Sequence, residues 1–324
     1  MMERNGANIL RIVLKGAFTI GQYGKCAIAN KQPDIVFADE YWGEPGHSAV
    51  KYESDVSLRR PYTDLIVNGY AYAPDNRPVT KMDVSLHYQS KLLKSLTVFG
   101  DRFWDESISL GKTSPEPFVK MPITYDRAFG GSDDKGSEPR NRSGAGYNSS
   151  IVRDFVNRQL PNIEDPFNLI TTRRSRPQPM GLGIVAKNWE PRLSYAGTYD
   201  DAWQANEFPL LPKDFDLRFN QCTSQDQWIK RPVGGEIVDI FGMTMSGILR
   251  VSIPPCDIGL SLVYSDKKED KNMELDSILF EPSEERVILT WSATADIHGD
   301  PFRLKEMIVG TPENEETIKT CRNC

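Results

Sequence analysis

Apolar and polar residues alternate from Met82 to Tyr88, a pattern that predicts a β-strand with one apolar face. A second apolar run, Leu92 to Phe99, follows after a short polar connection, so the two runs are expected to form a hairpin. The segment Ile9 to Phe18 is rich in β-branched and large apolar residues and predicts another strand. The first third of the chain is therefore expected to be β-structure.

The last third of the chain shows the same kind of pattern. EPSEE, residues 281–285, lies between two apolar runs and predicts a hairpin loop. The fully polar SDKKEDKN, residues 265–272, predicts a solvated hairpin tip. The apolar runs that predict strands here are Glu236–Ile240, Gly247–Ile253, Ile258–Tyr264, Leu275–Phe280 and Arg286–Trp291.

The middle of the chain is less regular. Residues 132–150 are mainly glycine, serine, asparagine and charged residues, and predict an exposed, mobile loop. Residues 149–160 predict a helix, because their apolar residues share one helical face and a serine stands at the start. A short helix is expected from Ser224, which fits a capping box with Gln227. Another is expected from Asp300-Pro301, because proline suits the first helical position.

These elements predict a mainly β, β-sandwich-like fold with two packed sheets and a few short helices. Residues 1–310 are expected to form a single domain. Two packed β lobes that meet near residues 105–125 are the alternative arrangement. Residues 311–324 show no apolar periodicity and are expected to be a C-terminal tail.

Composition excludes some classes of function. The net charge of −6 argues against a nucleic-acid partner. We interpret the basic cluster Arg173, Arg174 and Arg176 as a solvated loop or as a contact to an acidic partner. No apolar run is long enough for a membrane-spanning helix, so membrane insertion is not expected. Five widely scattered cysteines, an odd number, favour reduced thiols and a cytoplasmic location.

Motifs of catalytic and cofactor sites are sparse. The sequence contains no GxSxG, HExxH, P-loop, GxGxxG or EF-hand motif, so we assign no catalytic residue, metal or cofactor. Cys321 and Cys324 form a CxxC without a second pair that could complete a zinc site. DIHGD, residues 296–300, favours a tight turn over a metal cluster. The carboxylate pairs Asp133-Asp134 and Asp200-Asp201 do not by themselves define an acid–base site.

The heptapeptide YDRAFGG, Tyr125 to Gly131, specifies one local shape strongly. Its two glycines permit a backbone path that other residues avoid, and its acid–base pair can leave bulk water only with satisfied hydrogen bonds. We interpret the segment as a structural keystone that also supplies possible contacts to a partner. Its candidate residues are Tyr125, Asp126, Arg127, Phe129, Gly130 and Gly131.

A second candidate region is the aromatic stretch NWEPRLSYAGTYDDAW, residues 188–203. Tryptophan, tyrosine and arginine dominate the energetically important positions of protein interfaces. The same residues also suit a buried aromatic core, and both interpretations stay open. The candidate residues are Trp189, Arg192, Tyr195, Tyr199 and Trp203.

Ordered motifs along the chain resemble a bacterial domain-of-unknown-function family whose members carry a YDRAFGG signature and are often encoded beside type VI secretion genes. The resemblance covers roughly residues 10–310. One departure is EPRNRSGAGY at residues 138–147, where relatives tend to show a compact NP-x-G stretch. The matching segments are TDLIVNGYAYAP, VFGDRFW, PITYDRAFGG, LPNIEDP, YAGTYDDAW, LPKDFDLRFNQC, DQ at Asp226-Gln227, GGE at Gly234 to Glu236, and LDSILFEP.

This resemblance implies a non-enzymatic adaptor or chaperone in the cytoplasm. The implied partners are a secreted toxin effector and a VgrG or PAAR-type spike protein, onto which the effector is loaded. Two alternatives from other classes stay open. One is a hydrolase acting on carbohydrate or peptidoglycan, with the aromatic stretch as a sugar platform and carboxylates as acid and base. The other is an immunity-type protein that neutralises a toxin.

Overall fold

The computed structural model of this chain describes residues 9–105, 111–149, 158–296, 303–311 and 314–318. Within these ranges the chain is mainly β, which confirms the predicted fold class. The helical elements there are one α-helix, α1 (Asp201–Asn206), and seven short 3-10 turns. The 3-10 turns are Gln22–Gly24, Pro74–Asn76, Tyr125–Arg127, Leu193–Tyr195, Leu217–Asn220, Gln225–Gln227 and Pro282–Glu284.

The described strands follow one another as β1 Ile9–Ile20, β2 Cys26–Ile28, β3 Glu40–Tyr41, β4 Val50–Tyr52, β5 Thr63–Val67, β6 Tyr70–Tyr72, β7 Lys81–Tyr88, β8 Lys91–Phe99, β9 Lys120–Pro122, β10 Phe129–Gly130, β11 Ser132–Asp133, β12 Gly136–Ser137, β13 Ala145–Gly146, β14 Ile163–Glu164, β15 Trp228–Ile229, β16 Ile237–Phe241, β17 Ile248–Ser252, β18 Gly259–Tyr264, β19 Lys268–Asn272, β20 Glu274–Glu281, β21 Arg286–Asp296, β22 Leu304–Thr311 and β23 Asn314–Ile318.

Three larger sheets form the frame of the molecule. Their strand orders are β15-β5-β20-β21-β1-β2, β14-β8-β7-β16-β17 and β19-β18-β22-β23. Neighbouring strands in these sheets are antiparallel except β5 and β20, which run parallel. The remaining described strands form the two-stranded pairs β3-β4, β6-β9, β10-β13 and β11-β12. The predicted pair of sheets is thus extended by a third, because the hairpin of β18 and β19 pairs with β22 rather than with β20.

One apolar core joins the three sheets. Leu65 and Ile278 of the first sheet, Leu86 and Ile240 of the second, and Leu262 of the third are all inaccessible to solvent and belong to one continuous cluster. Burial of such side chains contributes about 1.5–3 kcal/mol each, so this cluster is the main source of stability. The predicted alternation in β7 is confirmed, because Val84 and Leu86 are buried while Asp83 and Ser85 are not.

The hairpin of β7 and β8 forms as predicted. Gln89 and Ser90 connect the two strands with φ of 51° and 64°, the left-handed pair of a tight two-residue turn. EPSEE also forms the predicted hairpin connection, since Pro282–Glu284 is a 3-10 turn between β20 and β21.

Some sequence predictions differ from the structure. SDKKEDKN is not a solvated tip alone, because its second half is β19, a charged edge strand paired with β18. Its charges suit an outer strand, where they discourage further pairing. Residues 314–318, within the predicted tail, form β23 against β22. The helix predicted over residues 149–160 lies mostly outside the described residues, as does the start of the one predicted at Asp300-Pro301.

Candidate functional site

The YDRAFGG segment makes one 3-10 turn and then enters the short strand β10. Tyr125 and Phe129 are buried, with 3% and 2% of their surface exposed. Gly131 has φ of +103°, and a Cβ atom there would lie 2.6 Å from the carbonyl oxygen of Gly144. Gly130 is as confined, because a Cβ atom would lie 2.2 Å from the carbonyl oxygen of Asn141. Both glycines are therefore needed for close backbone packing.

The chain that packs on these glycines is the polar stretch predicted to be an exposed, mobile loop. The predicted exposure is wrong for part of this stretch, since Glu138, Asn141 and Asn148 are buried. Asn141 Nδ2 donates to the carbonyl oxygens of Tyr125 and Phe129 at 2.8 and 3.0 Å. Composition misleads here because these polar side chains replace solvent as hydrogen-bond partners of the backbone.

Asp126 and Arg127 bind different neighbours rather than each other. Asp126 Oδ1 accepts a hydrogen bond from the backbone N–H of Ala49 at 2.8 Å. Arg127 donates to Asn162 Oδ1 at 3.0 Å and lies 3.5 Å from Asp101. Both side chains are half-buried. The pair therefore ties the turn to two separate parts of the fold.

The Tyr125 ring connects the turn to the aromatic stretch. It meets the Trp189 ring edge to face, with centroids 5.7 Å apart. Gly181 lies against its face so closely that a Cβ atom there would come within 2.9 Å of the ring. Burial raises the pKa of the Tyr125 hydroxyl, the nearby Asp226 adds to that rise, and a hydrogen bond with Ser224 opposes it. Tyr125 is therefore a neutral, fixed part of the framework.

The turn at Ser224 forms a polar cross-link beneath Tyr125. A short helical element starts there as predicted, but it is only a 3-10 turn, and the predicted capping box is wrong because the Ser224 side chain does not cap the turn. Ser224 Oγ donates to Gln227 Oε1 at 2.9 Å, and Gln227 Nε2 donates to the carbonyl oxygens of Leu65 and Leu182. Lys94, which is buried, donates to Ser224, Asp226 and Gln227. Three acceptors surround its amine, the arrangement that an ammonium group requires.

A buried ion-pair network holds the start of the aromatic stretch. Arg192 is 2% exposed and makes a two-bond contact to Glu53, at 2.6 and 3.0 Å. Arg60 lies 2.9 Å from Asp64 and donates to the Cys222 sulfur at 3.0 Å. Burial alone raises the pKa of Glu53, but the charge and hydrogen bond of Arg192 outweigh it, so the pKa is about 2.

Tyr125, Arg192 and Tyr195 line one pocket, which we call the Tyr125 pocket. Its volume is about 200 Å³, the size of one or two large side chains. Its remaining lining residues are Arg140, Gln178, Pro179, Val185, Glu190, Pro191, Thr223, Ser224, Gln225 and Trp228. Six of these thirteen lining residues are apolar or aromatic and seven are polar or charged. Such a lining suits a ligand that has both an apolar part and a polar end.

Residues 193–220 form a compact projection beside this pocket, which we call the aromatic lobe. Thr198 donates to the Asp214 carboxylate through its N–H and its hydroxyl, at 3.0 and 2.7 Å, which joins the two arms of the lobe. Asp200 caps α1 by accepting from the N–H of Trp203 at 2.8 Å. The Trp203 ring lies 4.7 Å from that of Tyr199 and 5.7 Å from that of Phe208.

The lobe exposes much of its apolar surface. Tyr199 is 52% and Phe208 67% exposed. An apolar concentration of this kind is expected at protein interaction sites, whereas single exposed apolar residues need no explanation. The exposed large apolar side chains of the lobe are Leu193, Tyr199, Phe208, Leu211 and Leu217.

A second exposed apolar surface lies on two hairpins, and we call it the hairpin patch. Phe241 and Ile248 pair at the end of β16 and β17, and Met245 lies in the turn between them. Tyr23 belongs to the 3-10 turn that packs on β17, where Gly24 lies close to the carbonyl of Arg250. Tyr23 and Met245 are 91% and 72% exposed.

The other groups considered from sequence have structural partners or lie outside the described residues. Asp133 accepts hydrogen bonds from the N–H and hydroxyl of Ser149, and Asp200 caps a helix. Cys321, Cys324 and residues 297–300 lie outside the described residues. The described cysteines Cys26, Cys222 and Cys256 are free thiols. Among the helices that the structure describes, none has the length and apolarity needed to cross a bilayer.

Comparison with known proteins gives a match to one family. Residues 5–292 match DUF2169, described as an uncharacterized protein conserved in bacteria. The chain belongs to the DUF2169 family. No curated protein and no solved structure matches this chain.

The structure of this DUF2169 member brings together segments that lie far apart in sequence. Asp64 accepts hydrogen bonds from the backbone of Cys222 and Thr223, and Gln227 and Tyr125 both contact Ser224. Tyr199 and Trp203 lie on the exposed lobe, apart from the buried pair Trp189 and Arg192. The contributing residues that sequence reasoning did not single out are Glu53, Lys94, Asn141, Glu190 and Trp228.

Proposed function

We propose that this protein is a non-enzymatic adaptor that binds a toxin effector in the bacterial cytoplasm and helps to load it onto a VgrG or PAAR-type spike. The observation that carries the proposal is the exposed apolar surface of the aromatic lobe next to the Tyr125 pocket. Large apolar side chains on the surface are costly unless a partner covers them. Membership of a bacterial family and the resemblance of its motifs to proteins encoded beside type VI secretion genes support the same role.

An adaptor must contact two partners, and the described surface offers two apolar regions. The aromatic lobe and the hairpin patch are built from different elements, residues 193–220 on the one hand and two hairpin ends on the other. We assign the effector to the lobe and pocket, where aromatic anchors are concentrated, and the spike protein to the hairpin patch. A client that must later be released is expected to be held by an interface of moderate size.

The test is co-expression of the tagged protein with each product of the neighbouring genes, followed by affinity purification and mass spectrometry. A stoichiometric complex with one toxin or PAAR-like protein is the expected result. A partnerless protein in every combination contradicts the proposal.

A cell assay separates an adaptor from an immunity protein. Deletion of the gene should abolish delivery of the toxin into neighbouring cells and leave the producing cell healthy. If deletion instead poisons the producing cell, the protein neutralises the toxin and the loading role is wrong.

A further inference from the structure

The charges around the Tyr125 pocket and the aromatic lobe are unequal. Between residues 188 and 220 the chain has six acidic residues and three basic ones. Each of the three cations is held by a carboxylate: Arg192 by Glu53, Lys213 by Glu207 and Arg218 by Asp216. The positive charge of this region is therefore already neutralised within the protein.

Carboxylates without a cationic partner remain at the same surface. Glu190 lines the pocket, is half-buried, and has neither an ion pair nor a side-chain hydrogen bond among the described residues. Asp201 at the start of α1 is exposed and has no cation within ion-pair distance in the described chain. A half-buried carboxylate gains more from a cation than an exposed one, because water screens it less.

The nearby arginines do not reverse this balance. Arg140 also lines the pocket, but Glu138 holds its guanidinium with bonds of 2.6 and 3.0 Å. Arg173 and Arg176 lie over the rings of Trp104 and Tyr147, and neither lines the pocket. Among the pocket-lining residues that the structure describes, no cation is left without a carboxylate, so a negatively charged ligand would meet Glu190 without a counter-charge.

We propose that the Tyr125 pocket receives an arginine or lysine side chain from the bound partner, with its cation at Glu190 and its stem against the apolar walls. The methylene groups of such a side chain suit Val185, Pro191 and Trp228, while its charged end needs a carboxylate. The pocket volume of about 200 Å³ is large enough for one such side chain. The partner segment is accordingly apolar and basic, to match the exposed apolar lobe and its acidic rim. This inference rests on the proposed adaptor function.

The test uses three labelled amphipathic peptides of equal length with a leucine face. One carries arginine on its polar face, one glutamate and one glutamine, and binding to the full chain is measured by fluorescence anisotropy. The arginine peptide should bind most tightly. E190Q should weaken its binding about fivefold, because a charged contact is lost. D34N is the matched control, since Asp34 is an exposed carboxylate outside the pocket and the lobe, and it should leave binding unchanged.

The proposal is overturned if the glutamate peptide binds as tightly as the arginine peptide, or if E190Q and D34N weaken binding equally. A circular dichroism melt of each variant shows whether it is folded. The peptide experiment does not need the natural client. If co-purification with the neighbouring gene products fails but the arginine peptide still binds most tightly, the adaptor function is contradicted and the arginine preference of the pocket stands. If co-purification succeeds but the arginine peptide has no advantage, the adaptor function stands and the inference about the pocket is wrong.

Discussion

The rings of Tyr125 and Trp189 pack edge to face, with centroids 5.7 Å apart and planes at 76°. Tyr125 belongs to the YDRAFGG turn and Trp189 to the aromatic stretch, so this contact joins the two candidate regions into one site. Both residues are almost fully buried. The contact therefore fixes Tyr125, which lines the pocket, while exposed residues of the lobe such as Tyr199 and Phe208 are available to a partner.

We expect G131A to destabilise the protein strongly. Its Cβ would lie 2.6 Å from the Gly144 carbonyl oxygen at a φ of +103°, so both backbone strain and a clash result. We expect a loss of about 2–4 kcal/mol in the free energy of unfolding, measured with urea.

G235A provides the matched control for this experiment. Gly235 has a φ of +88° but nothing within 4 Å of an added Cβ, so only strain remains. Its cost should be about 1 kcal/mol. Equal losses in the two variants would show that close packing on the YDRAFGG turn is not the reason for its glycine.

R127A should lower stability modestly. The variant loses the hydrogen bond to Asn162 and the longer ion pair to Asp101, both of which are partly exposed to solvent. A cost of about 1 kcal/mol corresponds to a fall of about 2 °C in Tm, measured by differential scanning calorimetry. R77A, at an exposed arginine for which the structure shows only a backbone contact, should leave Tm unchanged. An R127A variant with unchanged Tm that no longer captures its client would make Arg127 an interface residue.

Stability should depend on pH through Glu53. Burial raises the pKa of Glu53, but the opposite effect of Arg192 and Arg60 is larger, so the pKa falls from 4.5 to about 2. Because the folded-state pKa is depressed, the contribution is fully present above pH 4.5 and is lost as the pH falls towards 2. The shift corresponds to about 3 kcal/mol. Urea unfolding between pH 7 and pH 3 should show about 2 kcal/mol of this loss in the wild-type protein, because the rest is lost only as the pH falls to 2.

E53Q tests the origin of that dependence. The variant leaves Arg192 buried without its carboxylate, which should cost about 3–5 kcal/mol at pH 7. It should also flatten the fall in stability between pH 4.5 and pH 3. D266N removes an exposed ion pair with Arg303 and should cost less than about 1 kcal/mol. The assignment fails if E53Q keeps the acid dependence of the wild type.

F208A should separate binding from folding. Phe208 is 67% exposed and touches Trp203 only at its edge, so stability should change by less than about 1 kcal/mol. Capture of the effector should fall at least about tenfold, as expected for an aromatic anchor. The control is F167A, since Phe167 is 88% exposed and lies outside the lobe and the hairpin patch. Equal capture by F208A and wild type would remove the lobe from the proposed interface.

Much of the β-structure could be predicted from the sequence. The alternation in β7 and the short connection to β8 predict the hairpin, because side chains on a strand point to opposite faces in turn. The charged strand β19 was not predicted, because its residues are all polar or charged and show no apolar alternation. Such a strand is tolerated because it lies at a sheet edge. Its pairing with β18 depends on the neighbouring strand rather than on its own composition.

The candidate site was predictable in part. The YDRAFGG glycines indicated close backbone packing, and the structure shows that packing. Asn141 was missed because a buried asparagine in a polar stretch has the same composition as a solvated loop. Glu53 was missed because its partner Arg192 is far away in sequence, and nothing local marks either residue as buried.

The sequence by itself determined the β class of the fold, the positions of eight of the 23 described strands and the glycines of the turn, because these depend on local periodicity and backbone freedom. Only the tertiary structure decided that Tyr125 and Trp189 meet, that Arg192 is neutralised by Glu53, and that no cation of the described chain neutralises Glu190. Whether an aromatic or charged side chain supports the core or faces a partner depends on its neighbours in space. Those neighbours come from segments that are far apart in sequence, so no local pattern of residues predicts them.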